Sequence, residues 1–115
     1  MHNAIVILQN DATRAENLAA KIKAVSETVF VVQSLAELQK LVLQHPVRIG
    51  VLDLGLVSLD EIVSLRRQLG MEIVCTHRTA DETMWTGALH AGALDCCFDD
   101  DGAAVCRAIQ RTWAA

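Results

Sequence analysis

A three-layer α/β fold, with one parallel five-stranded sheet between two layers of helices, is predicted by three features of the sequence. Short apolar clusters recur at a spacing of about twenty residues, and each is followed by a stretch with helical periodicity. The clusters are continuous rather than alternating, the pattern of strands covered on both faces. Several helical stretches open on serine or threonine with a glutamate three residues on, a pairing whose hydroxyl and carboxylate satisfy the unpaired N–H groups of a helix start. Strands separated by single helices cannot pair as hairpins, so right-handed crossovers yield a parallel sheet.

The elements follow in order. Ala4-Ile5-Val6-Ile7-Leu8 is the first strand and ends at Gln9-Asn10-Asp11. Ala15, Leu18, Ala19, Ile22 and Val25 then share one face of a helix, opposite Arg14, Glu16, Lys21 and Lys23. Thr28-Val29-Phe30-Val31-Val32 is β-branched and apolar, and Ser34 with Glu37 opens the second helix. Pro46 stops that helix after His45, and the third strand runs from Arg48 to Asp53. Ser58 with Glu61 opens the third helix, Gly70 stops it, and Glu72 to Thr76 form the fourth strand. Thr79 with Glu82 opens a helix reaching about Ala91, Gly92 breaks it, and Leu94 to Phe98 form the fifth strand. Asp99-Asp100-Asp101 then opens the last helix, its carboxylates favourably placed at the positive end of the helix dipole.

A chain of 115 residues matches one domain, 1–115, with a core large enough to fold without a disulfide or metal staple. A hydrophobic content of 52% with a single proline excludes disorder, and a formal charge of −4 argues against direct nucleic-acid binding. No apolar run approaches the roughly 20 residues that span a bilayer, so no membrane association is expected. Cys75, Cys96, Cys97 and Cys106 lack paired C-x-x-C spacing and follow no secretory segment. They read as reduced, core-filling thiols of a cytoplasmic protein, with Cys96 and Cys97 on opposite faces of the fifth strand. His45, Met84 and His90 are assigned no function.

In an open parallel sheet, functional groups gather at the carboxyl ends of the strands. That edge holds Gln9, Asn10 and Asp11, then Asp53, then Thr76 and His77, then Asp99 to Asp101. The order is informative: an acidic cluster after strand one, an aspartate ending strand three, a threonine ending strand four, and the turn Ala91-Gly92-Ala93-Leu94-Asp95 before strand five. Over essentially its whole length the chain resembles a response-regulator receiver domain of the CheY-like superfamily, from bacterial two-component signalling. The resemblance implies a flavodoxin-like (βα)5 fold with strand order 2-1-3-4-5. It implies that Asp53 accepts a phosphoryl group from a histidine kinase, that Thr76 is the switch hydroxyl, and that Asp11, Asn10 and Asp53 form the remnant of a Mg2+ site. Such phosphorelay chemistry needs an in-line carboxylate, a divalent cation and a donor for developing charge.

The chain departs from that pattern in three places. The acid pair after strand one falls on Gln9 and Asn10, or on Asn10 and Asp11, so at least one carboxylate is an amide and magnesium affinity is expected to fall. The lysine ending strand five, and the proline after it, are replaced by Asp99 and Asp100, with no evident substitute for the ammonium. The aromatic residue of strand five is Cys96. Two like charges about 4 Å apart repel by roughly 1 kcal/mol in water and about 4 kcal/mol at an effective dielectric of 20. A phosphoryl group carrying about −1.5 to −2 charges is therefore disfavoured beside Asp53 and Asp99. His77 offers one further ligand type, in no fixed geometry.

These losses point to a pseudo-receiver, weakly phosphorylated or phosphorylation-independent, acting by protein contact. The expected contact surface is that of the fourth helix, fifth strand and fifth helix, with a histidine kinase, another signalling protein or a second copy as partner. Trp85 and Trp113 are the interaction candidates; Trp85, four residues before Leu89, is expected in the core, and Trp113 to be the exposed anchor. The alternatives are a scaffolding piece of a longer regulator, or a small α/β enzyme. The enzyme reading is disfavoured because G-x-x-x-x-G-K-[ST], G-x-G-x-x-G and G-x-S-x-G are all missing.

Overall fold

The computed structural model describes residues 4–114. Five strands alternate with five helices: β1 (Ile5–Leu8), α1 (Ala12–Ile22), β2 (Val29–Val32), α2 (Leu35–Gln44), β3 (Ile49–Asp53), α3 (Leu59–Leu69), β4 (Glu72–His77), α4 (Glu82–His90), β5 (Asp95–Phe98) and α5 (Gly102–Ala114). All pairings are parallel and the order is β2-β1-β3-β4-β5. This is the flavodoxin-like arrangement expected from the sequence.

Burial explains why the strands are apolar throughout. Every residue of β1 and of β3 is buried. Successive side chains leave a strand on opposite faces. Val6, Leu8, Leu52, Ile73, Cys75 and Cys96 therefore pack toward α2, α3 and α4. Ile5, Ile7, Val51, Val74 and Cys97 pack toward α1 and α5. Cys96 and Cys97 divide between the two layers, as their adjacency requires. Burial pushes the thiols of Cys75 and Cys97 up to about 12 and that of Cys96 to about 11, so they stay protonated and inert.

Helix starts follow their caps. Asp11, Ser34 and Ser58 accept from the N–H groups of Arg14, Glu37 and Glu61. Only Ser58 forms the complete reciprocal box with its glutamate; the Glu37 carboxylate accepts from Gln33 N–H instead. The box expected at Thr79 does not form. Asp81 caps α4 by accepting from Met84 N–H, while Thr79 N–H donates to His77 Nδ1 at 3.0 Å. A carboxylate is among the strongest N-cap acceptors, and the Thr79 side chain is engaged elsewhere. Helix α1 stops at Ile22, three residues short of the periodicity that reached Val25; Val25 sits in the following turn and still packs on the α1–α5 side. Gly92 has φ of 99°, a conformation that strains any side chain, and a Cβ there would also meet the Arg66 side chain laid across it. The break after α4 therefore depends on glycine.

Both tryptophans differ from expectation. Trp85 is 45% exposed, because the inward stripe of α4 is occupied by Ala88 with Met84 and Ala91 beside it. Leu89 is only half-buried. Trp113, expected as the exposed anchor, lies partly buried against the α1–α5 cluster and its indole N–H is enclosed. Helix α5 continues past Trp113, which is four residues from buried Ile109 and on the same face. No helix among the described residues is long and apolar enough to cross a membrane.

Candidate functional site: the Asp53 cleft

The carboxyl edge of the sheet carries a cleft of about 290 Å³ lined by Gln9, Asn10, Asp11, Asp53, Gly55, His77, Arg78 and Asp99. The topology assembles it: β1, β3, β4 and β5 are neighbours, so the residues ending them converge although they are far apart in sequence. Asp53 and Asp99 share this hollow, and Thr76 lies directly beside Asp53 as its register partner on β4.

Asp53 is buried, 9% exposed, and both its oxygens are engaged. Thr76 Oγ1 donates to Oδ1 at 3.1 Å, and Gln9 Nε2 donates to the same oxygen at 3.4 Å. Gly55 N–H donates to Oδ2 at 3.0 Å. A Cβ at Gly55 would stand 2.8 Å from Oδ2, so glycine is what lets this backbone donor come close. The charge of Asp53 is thus met by two neutral side-chain donors and one backbone donor, as a buried carboxylate requires.

The loop after β1 is organised by an amide. Gln9 Oε1 accepts from Asp11 N–H at 3.0 Å, which turns the Gln9 NH₂ group toward Asp53. Asp11 lines the cleft, yet its Oδ1 accepts from Arg14 N–H as the α1 cap. Asn10 lines the cleft from an exposed position. His77 Nδ1 accepts from Thr79 N–H, so in that geometry the ring presents Nε2 as its remaining nitrogen.

The acids that follow β5 are met by a base from α1, Arg14. Its guanidinium sits 2.8 Å from Asp99 and 3.6 Å from Asp100, reaching from the first turn of α1 to the end of β5. Arg78 lines the cleft as a second cation. Burial nevertheless holds the Asp99 carboxyl above its ordinary value, with Arg14 drawing it back down. An acid thus follows β5, and a base from α1 reaches across the edge to meet it.

Periodicity places Arg14 on the solvent side of α1, and only its position one turn after Asp11, at the carboxyl edge, hints otherwise. Arg78 directly follows His77, and that place at the strand end is the signal the sequence carries for it. The expected site residues Asn10, Asp11, Asp53 and Thr76 do come together. Trp85 and Trp113 lie elsewhere: the Trp85 indole N–H donates to Asp95 Oδ1 at 3.0 Å, and Asp95 Oδ2 pairs with Arg111 at 3.1 Å.

Magnesium fits this donor set poorly. Each Asp53 oxygen already accepts from protein, Asp11 Oδ1 is committed to the helix cap, and Gln9 and Asn10 offer amides where a hard dication favours carboxylates. Among the described residues no group of three His, Cys, Asp or Glu side chains is placed to hold a metal ion.

No family model matches the sequence, and no curated protein matches it. Solved structures do. A response regulator from Thermotoga maritima superposes with a TM-score of 0.89 at 10% identity, covering 100% of both chains. The BeF3-activated DrrB receiver domain superposes at 0.80 with 13% identity, again over 100% of both chains. HP1043, an orphan response regulator of H. pylori, gives 0.75 at 9% identity over 95% of this chain and 94% of the other. At such identities the likeness is one of architecture: the chain shares the fold of these receiver domains over its described length.

Proposed function

We propose that this chain is a receiver-like signalling domain in which the phosphoacceptor position has become structural, so that it works by protein contact without depending on phosphorylation. One observation carries the reading. The Asp53 carboxylate, in the position where receivers are phosphorylated, is closed in by Gln9, Thr76 and Gly55. An incoming phosphoryl group has to displace these donors and enter a cleft that also holds Asp99 and Asp11. Contact is assigned to the surface of α4, β5 and α5, where Trp85 and Phe98 are 45% and 49% exposed and Asp95 fixes the indole in place. The partner is a histidine kinase, another signalling protein or a second copy of the chain.

A working receiver is the second reading, favoured by Arg14 and Arg78, which bring positive charge to the edge that lacks lysine. Mass spectrometry after treatment with acetyl phosphate and magnesium separates the two. The expected result is no phosphoryl adduct on the native chain beyond that on Asp53→Asn. Rapid labelling that Asp53→Asn abolishes and Arg78→Ala slows would establish the second reading instead.

A further inference from the structure

We infer that Gln9 is the residue that uncouples this receiver fold from divalent cations: its amide occupies, on Asp53, the position a cation needs. The inference rests on the reading of the Asp53 cleft as the former phosphoacceptor position. Gln9 is 4% exposed and Asp53 9%, so their contact is sheltered from water and from screening by salt. The amide is not free to turn over. Its Oε1 accepts from Asp11 N–H at 3.0 Å, which leaves Nε2 as the only end that faces Asp53 Oδ1, 3.4 Å away.

The consequence is chemical. A neutral donor satisfies the carboxylate without adding charge, so the buried edge is stable with no ion present. A carboxylate in place of the amide keeps the bond from Asp11 N–H but reverses the contact to Asp53: oxygen faces oxygen there, and two buried negative charges repel unless a cation lies between them. Gln9 is therefore a positioning residue that sets the ion requirement of the edge. The neighbouring donors are compatible with this, because Thr76 and Gly55 supply the remaining hydrogen bonds to Asp53.

The test is thermal unfolding and calorimetric titration with magnesium chloride, comparing the native chain, Gln9→Glu and Gln9→Asp in EDTA and in millimolar magnesium, with sodium chloride at matched ionic strength as control. The native chain is expected to shift by less than about 1 °C and to give no binding heat. Gln9→Glu is expected to melt lower than the native chain in EDTA and to recover by roughly 5 °C or more with magnesium but not with sodium. Gln9→Asp repeats the measurement with a shorter side chain should Gln9→Glu not fold. A native chain that binds magnesium overturns the inference. So does a pair of variants with no magnesium-specific gain, including a pair that magnesium does not fold. Variants without a magnesium-specific gain, beside a native chain that takes no phosphoryl group, would overturn the inference and leave the functional reading standing.

Discussion

At Asp53 the side chain is held by donors that differ in how they can be removed. Thr76 is 1% exposed, so Thr76→Val keeps the shape and leaves a buried carboxylate short of one donor. The expected cost is about 1–3 kcal/mol, read as a lowered midpoint in urea unfolding. Asp99 behaves differently. Its carboxyl is held above the ordinary value of 3.8, chiefly by burial. A raised folded value means that the folded chain keeps this proton more readily than the unfolded chain. Its contribution to stability is complete below the unfolded value and is lost as pH rises through the folded one. Asp99→Asn is therefore expected to melt higher than the native protein at neutral pH, with the advantage shrinking to nothing as the pH falls below about 3.8. A variant less stable at neutral pH would mean that the Arg14 contact outweighs burial. The cysteines give a third residue-level expectation. With thiols pushed to about 11 and 12, Cys96, Cys75 and Cys97 should resist iodoacetamide in the native state at pH 8, whereas half-buried Cys106 should react first in mass-spectrometric peptide mapping.

Among the elements, α4 is where local signals compete. Both Thr79 and Asp81 have cap-forming side chains, and the sequence offers the familiar box at the first. The structure uses the second, because the Thr79 backbone and hydroxyl are turned to His77 at the end of β4. Asp81→Ala is accordingly expected to cost about 1 kcal/mol of unfolding free energy, with Thr79→Ala costing less, measured by denaturant titration. The reverse ranking would restore the box. The same helix shows why Trp85 faces outward: its spacing from Leu89 suits an inward stripe, but the stripe taken runs through Ala88, leaving Trp85 to find a polar partner in Asp95 on the adjoining strand. Such choices depend on the packed neighbour and leave little trace in a single helix.

For the molecule as a whole, strand alternation and the order of edge residues were readable, since continuous apolar runs and their terminating polar residues are local properties. Asp53, Thr76 and the loop after β1 were legible for that reason. Arg14 was not: its role is defined by Asp99 and Asp100, which are distant in sequence and meet it only across the folded edge. The amide orientation at Gln9 was hidden likewise, because it is decided by two contacts, one local to Asp11 and one to Asp53, 44 positions away.

The sheet order carries a further consequence, for the chain as it is made. β1 is sandwiched between β2 and β3, with Ile5 set against Val29 on one side and Ile49 on the other. During translation at about 5–20 residues per second, the first strand is complete several seconds before its second neighbour leaves the ribosome. For that interval one margin of an entirely apolar strand has nothing to pair with, and a ribosome paused shortly before Ile49 would leave that margin open to pairing with another chain.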